Sequence, residues 1–155
     1  MSRRAKVASI TVKKVCGMDR RLALRPALPV HGSQKPSGPV RYAVTIGDPA
    51  GIGPEMVLRT LARLRDLNGC TIYGNRAMLR KTTRDLGLME GYRRIESRVV
   101  DVVEDMSFDY GKSTKRTARA ALHSIQAALE SGSDVIVTAP IVKATVRLIS
   151  PDFTG

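Results

Sequence analysis

Thr45-Ile46-Gly47-Asp48-Pro49-Ala50-Gly51-Ile52-Gly53-Pro54-Glu55 is the stretch that decides the fold of this 155-residue chain. Val40 to Ile46 before it reads as a buried β-strand, and Pro54 to Arg65 after it reads as a helix. Between them Gly47, Gly51 and Gly53 stand with Asp48 and Pro49, residues that turn a chain sharply and let other groups approach the backbone. Pro54 suits the first helical turn, where its missing N–H has no partner to lose. Glu55 beside it complements the positive end of the helix dipole. A strand, a glycine turn and a helix in this order form a site-building unit of an α/β protein.

Known phosphate loops do not fit the turn. Walker A requires a Lys after its last glycine, and Pro54 follows Gly53. The dinucleotide fingerprint G-x-G-x-x-G, counted from Gly51, meets Met56 where its third glycine belongs. Asp48 repels a bare phosphate unless a cation stands between them. These residues suit both a tight structural turn and a ligand-facing loop.

The chain is long enough for one domain with a real core, and its 43% hydrophobic and 26% charged residues are ordinary for a globular protein. No apolar run approaches the length of a bilayer span, so no membrane partner is expected. Cys16 and Cys70 fit no metal or redox spacing, which favours a reduced, cytoplasmic setting.

The net charge of +12 is unevenly spread. Residues 1–39 carry nine Lys/Arg against Asp19 alone, or +8, leaving +4 for residues 40–155. This basic leader ends in a Pro-, Gly- and Ser-rich linker from Pro26 to Pro39. It lacks the apolar centre of a secretory signal. Its open readings are an organelle transit peptide, a basic arm for nucleic acid or anionic surfaces, and a disordered extension with Met18 as an alternative start. His31 within it has no partner nearby in sequence.

From Val40 onward strands and helices alternate. Cys70 to Tyr73 is a short strand ending at Gly74, and Asn75 caps a helix to about Leu86 that Gly87 terminates. A β-branched run makes Arg98 to Val103 a strand. Ser113 to Glu130 carries apolar residues at Ala118, Ala121, Leu122, Ile125, Ala128 and Leu129, a helical stripe closed by Gly132. Asp134 to Thr138 reads as another buried strand, and Ile141 to Leu148 opens a further helix. The alternation predicts an α/β fold, a mostly parallel sheet with flanking helices.

Three further features are candidate sites. Gly111-Lys112-Ser113-Thr114 looks like half of Walker A, but its upstream glycine is Met106, so Ser113 or Thr114 reads as a helix cap. His123 lies off the apolar stripe of its helix and reads as solvated. Thr138-Ala139-Pro140-Ile141-Val142-Lys143 follows the carboxyl end of a strand, where open α/β sheets place ligands, and Lys143 lies where an anion could meet it. An exposed structural lysine is the competing reading. The scattered tyrosines and phenylalanines offer no stacking platform for single strands, so nucleic acid is not the expected partner of residues 40–155.

Two segments then carry a family resemblance. Gly47 to Glu55, and Gly132-Ser133-Asp134-Val135-Ile136-Val137-Thr138-Ala139-Pro140-Ile141-Val142-Lys143 with Phe153-Thr154-Gly155, resemble the amino-terminal half of the 4-hydroxythreonine-4-phosphate dehydrogenases. The resemblance covers residues 40–155. It implies the first α/β domain of an isocitrate dehydrogenase-like fold, interrupted near the crossover to a second domain. It implies an NAD-dependent oxidation of 4-phosphooxy-threonine and decarboxylation to 3-amino-2-oxopropyl phosphate for vitamin B6 synthesis. A divalent metal (zinc, magnesium or cobalt), a cytoplasmic location and a homodimer belong to the same expectation.

The chain departs from the family in lacking the His-Thr pair after Phe-Thr-Gly and every downstream metal-binding histidine. His31 and His123 match no metal position. The expected inventory therefore has no metal ligand, no assigned cofactor contact and no catalytic residue. Asp48, Thr138 and Lys143 are the substrate-cleft candidates, and this length of chain is expected to be inactive alone. The alternatives are another phosphorylated hydroxy acid, 4-phospho-threonate or erythronate, and a non-catalytic binding module whose leader contacts nucleic acid.

Overall fold

The computed structural model describes residues 38–154. The basic leader up to residue 37, with Cys16, Met18 and His31, lies outside the described residues, as does Gly155. Four strands and five helices follow in the order β1 (Tyr42–Thr45), α1 (Gly53–Arg63), β2 (Cys70–Gly74), α2 (Arg76–Leu86), α3 (Met89–Ile95), β3 (Val99–Asp101), α4 (Lys115–Glu130), β4 (Val135–Thr138) and α5 (Lys143–Arg147). The strands form one sheet in the order β3-β2-β1-β4, every pair parallel. The expected α/β architecture, a parallel sheet flanked by helices, is what forms.

Register explains the core. Val44, Ile72 and Val99 lie opposite one another on β1, β2 and β3. They share one cluster with Val57, Leu58 and Leu61 of α1, Met78 and Leu79 of α2, and Tyr92 and Ile95 of α3. Each such side chain removed from water contributes roughly 1.5–3 kcal/mol. The other face of β1 and β2 is covered by α4. Its inward residues are small (Ala118, Ala120, Ala121, Ser124 and Ala128), so it lies close against the strands. Ala118 and Leu122 also receive Val146 of α5 and, beside it, Ile141, Ile149 and Phe153.

The helix ends follow the sequence signals. Asn75 Oδ1 accepts the Met78 N–H at 3.0 Å, and Gly87 closes α2 in the left-handed region at φ +67. Thr114 and Thr117 cap α4 reciprocally, each side chain accepting the other's backbone N–H. The cap is therefore Thr114 rather than Ser113.

Three expectations are corrected. The segment between Gly87 and β3 contains an unforeseen helix, α3, which buries Tyr92 and Ile95. The β-branched run pairs as a strand only from Val99 to Asp101. At its end the Asp101 carboxylate is taken by Arg76, and beyond it the Val103 carbonyl by Asn75 Nδ2 at 2.9 Å. Third, β4 is an edge strand rather than a buried one: Val135 is 40% and Val137 49% exposed. Val137 continues the Val44 row, but α1 does not reach over it. An apolar groove of about 510 Å³ remains there, lined by Tyr42, Val44, Met56, Leu61, Leu64 and Val137. Leu129, placed on the apolar stripe of α4, is likewise 38% exposed.

Among the described residues two buried hydroxyls, those of Thr45 and Ser150, have no hydrogen-bond partner. Thr45 Oγ1, in a fully buried residue at the end of β1, makes no hydrogen bond. A buried hydroxyl without a partner costs about 1–3 kcal/mol in lost hydration. Thr45→Val, close to isosteric, is therefore expected to raise the thermal midpoint. A fall in the midpoint would show that the hydroxyl is bonded in solution.

Candidate functional site at the strand switch point

The chain moves from β1 to β2 and on to β3 in one direction, then crosses back to place β4 on the other side of β1. The loops leaving β1 and β4 therefore diverge from adjacent strands. Open α/β sheets bind ligands in the crevice such a switch creates. Both motifs singled out in the sequence lie there. Thr45 at the end of β1 is opposite Thr138 at the end of β4. The Asp48 N–H donates to the Pro140 carbonyl at 3.1 Å, and the Ala139 N–H to the Thr45 carbonyl at 3.3 Å.

The three glycines of the turn have different tasks. Gly47 sits at φ +69, and a Cβ on it would lie 2.4 Å from the Pro140 carbonyl oxygen. A Cβ on Gly53 would lie 2.3 Å from the Ile46 carbonyl oxygen. Both are glycine because the backbone folds onto them. At Gly51 the nearest atom to a Cβ would be 3.4 Å away, an ordinary contact, and its φ is not positive. Packing does not demand glycine at 51.

Of the candidate residues, Asp48 is 2% exposed. Its Oδ1 accepts the Ala50 N–H at 2.9 Å, and its Oδ2 accepts the Ser113 hydroxyl at 2.5 Å. Thr138 and Lys143 are exposed, Lys143 opening the short helix α5. The fold thus brings the Asp48 turn and the Thr138–Pro140 segment together, with Lys143 a few residues further on. Sequence reasoning missed the role of Gly111 and Ser113. The Gly111 N–H donates to the Ala50 carbonyl at 2.8 Å, so the approach to α4 forms a third wall beside the turn. The glycine before a polar pair was visible in the sequence, but nothing local tied it to residue 50.

This wall is cationic. Lys115, Arg116 and Arg119 are exposed, the first turn of α4 has no acidic residue, and among the described residues Lys112 pairs with exposed Asp109 at 3.3 Å. Cations at a helix start oppose the dipole, and Lys115 and Arg119 repel as an i,i+4 pair. Lys115→Glu is expected to stabilise the chain by about 0.3–1 kcal/mol at low salt, with the gain shrinking as salt rises. Denaturant melts at two ionic strengths check this; a loss of stability would mean that Lys115 has an acidic partner.

His123 is half-buried on α4, less solvated than its place off the stripe suggested. Among the described residues no group of three or more His, Cys, Asp and Glu side chains could hold a metal ion. No described helix is long and apolar enough to cross a membrane.

A parallel sheet with helices on both faces and a glycine turn at its switch point defines an α/β protein. No family model matches the chain. Individual proteins do. It is 31% identical over 118 residues to a 4-hydroxythreonine-4-phosphate dehydrogenase of a Sulfurihydrogenibium species, covering 67% of this chain and 36% of that protein. It is 31% identical over 132 residues to a protein of Cutibacterium acnes provisionally named a D-threonate 4-phosphate dehydrogenase, covering 72% and 38%. A similar fold occurs in a provisionally named 4-hydroxythreonine-4-phosphate dehydrogenase of Salmonella typhimurium, with a TM-score of 0.59, 23% identity, and coverage of 76% of this chain and 42% of that one. The chain is a relative of the 4-hydroxythreonine-4-phosphate dehydrogenases, and it spans well under half the length of the relatives it matches.

Proposed function

We propose that the chain forms the amino-terminal part of the substrate cleft of an NAD-dependent dehydrogenase acting on a phosphorylated hydroxy acid. In the first reading the substrate is 4-phosphooxy-threonine, oxidised and decarboxylated to 3-amino-2-oxopropyl phosphate on the route to vitamin B6, in a cytoplasmic homodimer. One observation carries the proposal: the two segments that resemble the dehydrogenases, far apart in sequence, meet through backbone hydrogen bonds at the switch point. The relative named for D-threonate 4-phosphate supports a second reading with that acid as substrate.

The described residues do not fit the family's divalent metal, because they assemble no set of metal-binding side chains. They also lack the dinucleotide fingerprint, since Met56 stands where its third glycine belongs. No chemical step is therefore routed through either group, and this chain alone is expected to form no reduced cofactor. Its own contribution is positional. Thr138 and Lys143 lie at the open end of β4, where a hydroxyl and an ammonium suit a carboxylate or phosphate. Gly51, in the turn joined to this segment, carries no side chain to crowd a ligand.

The test is a titration of the isotope-labelled chain with 4-phosphooxy-L-threonine and, separately, with D-threonate 4-phosphate. Amide shifts at Gly51 and from Thr138 to Lys143 are expected with one of the two, and Lys143→Ala should weaken them. Silence at these amides with both acids, or unchanged affinity in Lys143→Ala, would count against the cleft as drawn.

A further inference from the structure

Asp48 is a buried carboxylate that appears in no ion pair among the described residues. Buried charges in proteins are ordinarily paired or fully hydrogen-bonded. Here one oxygen takes the Ala50 N–H and the other takes the Ser113 hydroxyl. The Asp48 N–H reaches Pro140, so one residue joins the glycine turn, the start of α4 and the loop after β4. The bond from Gly111 to Ala50 is a second strut between the first two of these.

Ser113 is free for this task because it does not cap α4. Thr114 and Thr117 complete that cap between themselves, and Thr117 Oγ1 lies 3.5 Å from the Ser113 hydroxyl, a much poorer partner than Asp48. We propose that Ser113 is a positioning residue of the switch-point site: acting through Asp48, it holds the glycine turn and the start of α4 as one rigid lip against which a phosphorylated ligand is oriented. This rests on the cleft reading above. It gives Asp48 a task inside the lip and leaves contact with the ligand to Gly51, Thr138 and Lys143. Removing the hydroxyl deprives the carboxylate of one of its two donors and leaves the two loops joined by the Gly111 strut alone.

The experiment compares the native chain with Ser113→Ala and Ser113→Thr, reading amide hydrogen exchange and titration with the two phosphorylated acids named above. In Ser113→Ala, exchange at the Ala50 and Gly111 amides should accelerate together while Leu79 and Ala121 stay protected. The dissociation constant should rise at least tenfold, and the thermal midpoint should fall because a buried Asp48 oxygen loses its donor. Ser113→Thr, which keeps a hydroxyl, should restore both. Unchanged exchange at Ala50 and Gly111 in Ser113→Ala would overturn the tether. An unchanged dissociation constant with accelerated exchange would overturn the positioning role. If the native chain binds neither acid, the substrate reading fails by itself, and the tether is decided by exchange alone.

Discussion

Gly47→Ala is expected to lower the unfolding free energy by about 4 kcal/mol, a large share of the roughly 5–15 kcal/mol that holds most domains folded. Two costs combine. The residue sits at φ +69, where a side chain adds roughly 1–2 kcal/mol of strain. The new Cβ would also fall 2.4 Å from the Pro140 carbonyl oxygen. That atom is backbone and is already held by the Asp48 N–H, so it cannot swing away as a flexible side chain would. Overpacking of this kind costs about 1–3 kcal/mol. Gly87→Ala is the control: its φ is +67, and a Cβ would meet nothing within 4 Å. It should lose only the conformational part, about 1–2 kcal/mol. Urea denaturation followed by circular dichroism measures both. Equal losses would mean that the β1 and β4 loops are not in contact in solution.

Asp48→Ala should be the most damaging polar substitution, at about 2–3 kcal/mol. It leaves the N–H of Ala50, a residue 2% exposed, without an acceptor, and it frees the Ser113 hydroxyl. Asp48→Asn keeps an oxygen for Ala50 and turns an amide toward Ser113, so about 1 kcal/mol is expected. The order of the two variants is the informative result. If the alanine variant were as stable as the native chain, the turn would be held by its glycines, and the carboxylate would be free for a ligand. The same chemical denaturation reads the difference.

How much of this was legible in the sequence depended on how local each interaction is. Asn75, Gly87 and Thr114 announced their helix ends because a cap is made with residues three or four positions away. β2 was legible as a short apolar strand bounded by glycine. α3 was not. It has seven residues, a glycine at its third position and no side-chain cap, and against these only Glu90 in its first turn and Arg93 and Arg94 in its last favour a helix. It forms because Gly91 lets it approach α1 closely, with the place of a Cβ only 2.9 Å from that of Ala62, and because Tyr92 and Ile95 complete the core. β4 read as buried because Val135-Ile136-Val137 is apolar throughout, and composition does not say which strand ends up at an edge. The glycine turn and the Thr138 to Lys143 segment were both found as candidate site segments. Ser113 was read as a cap candidate because its partner lies 65 positions away, and no spacing rule reaches that far.

The sheet order has a consequence for how the chain acquires its structure. β1, β2 and β3 with α1, α2 and α3 make a continuous run, and their shared core draws on residues from Val44 to Phe108. β4 joins β1 on the side away from β2, its entry marked by Arg41 and Asp134, 93 positions apart. Closing so long a loop costs chain entropy before the contacts repay it. The three-stranded half should therefore gather first, on the ribosome as well as in refolding, with α4 and β4 docking afterwards. Until they dock, Ala43 and Thr45 lack the cover of α4, and the crevice between β1 and β4 does not exist. Pulse-labelled exchange would show this as protection at Ile72 and Leu79 preceding protection at Val137; simultaneous protection would mean that the sheet closes in a single step. The crevice would then be the last part of the molecule to be made, so an assembly line that stalls early yields a core without a site.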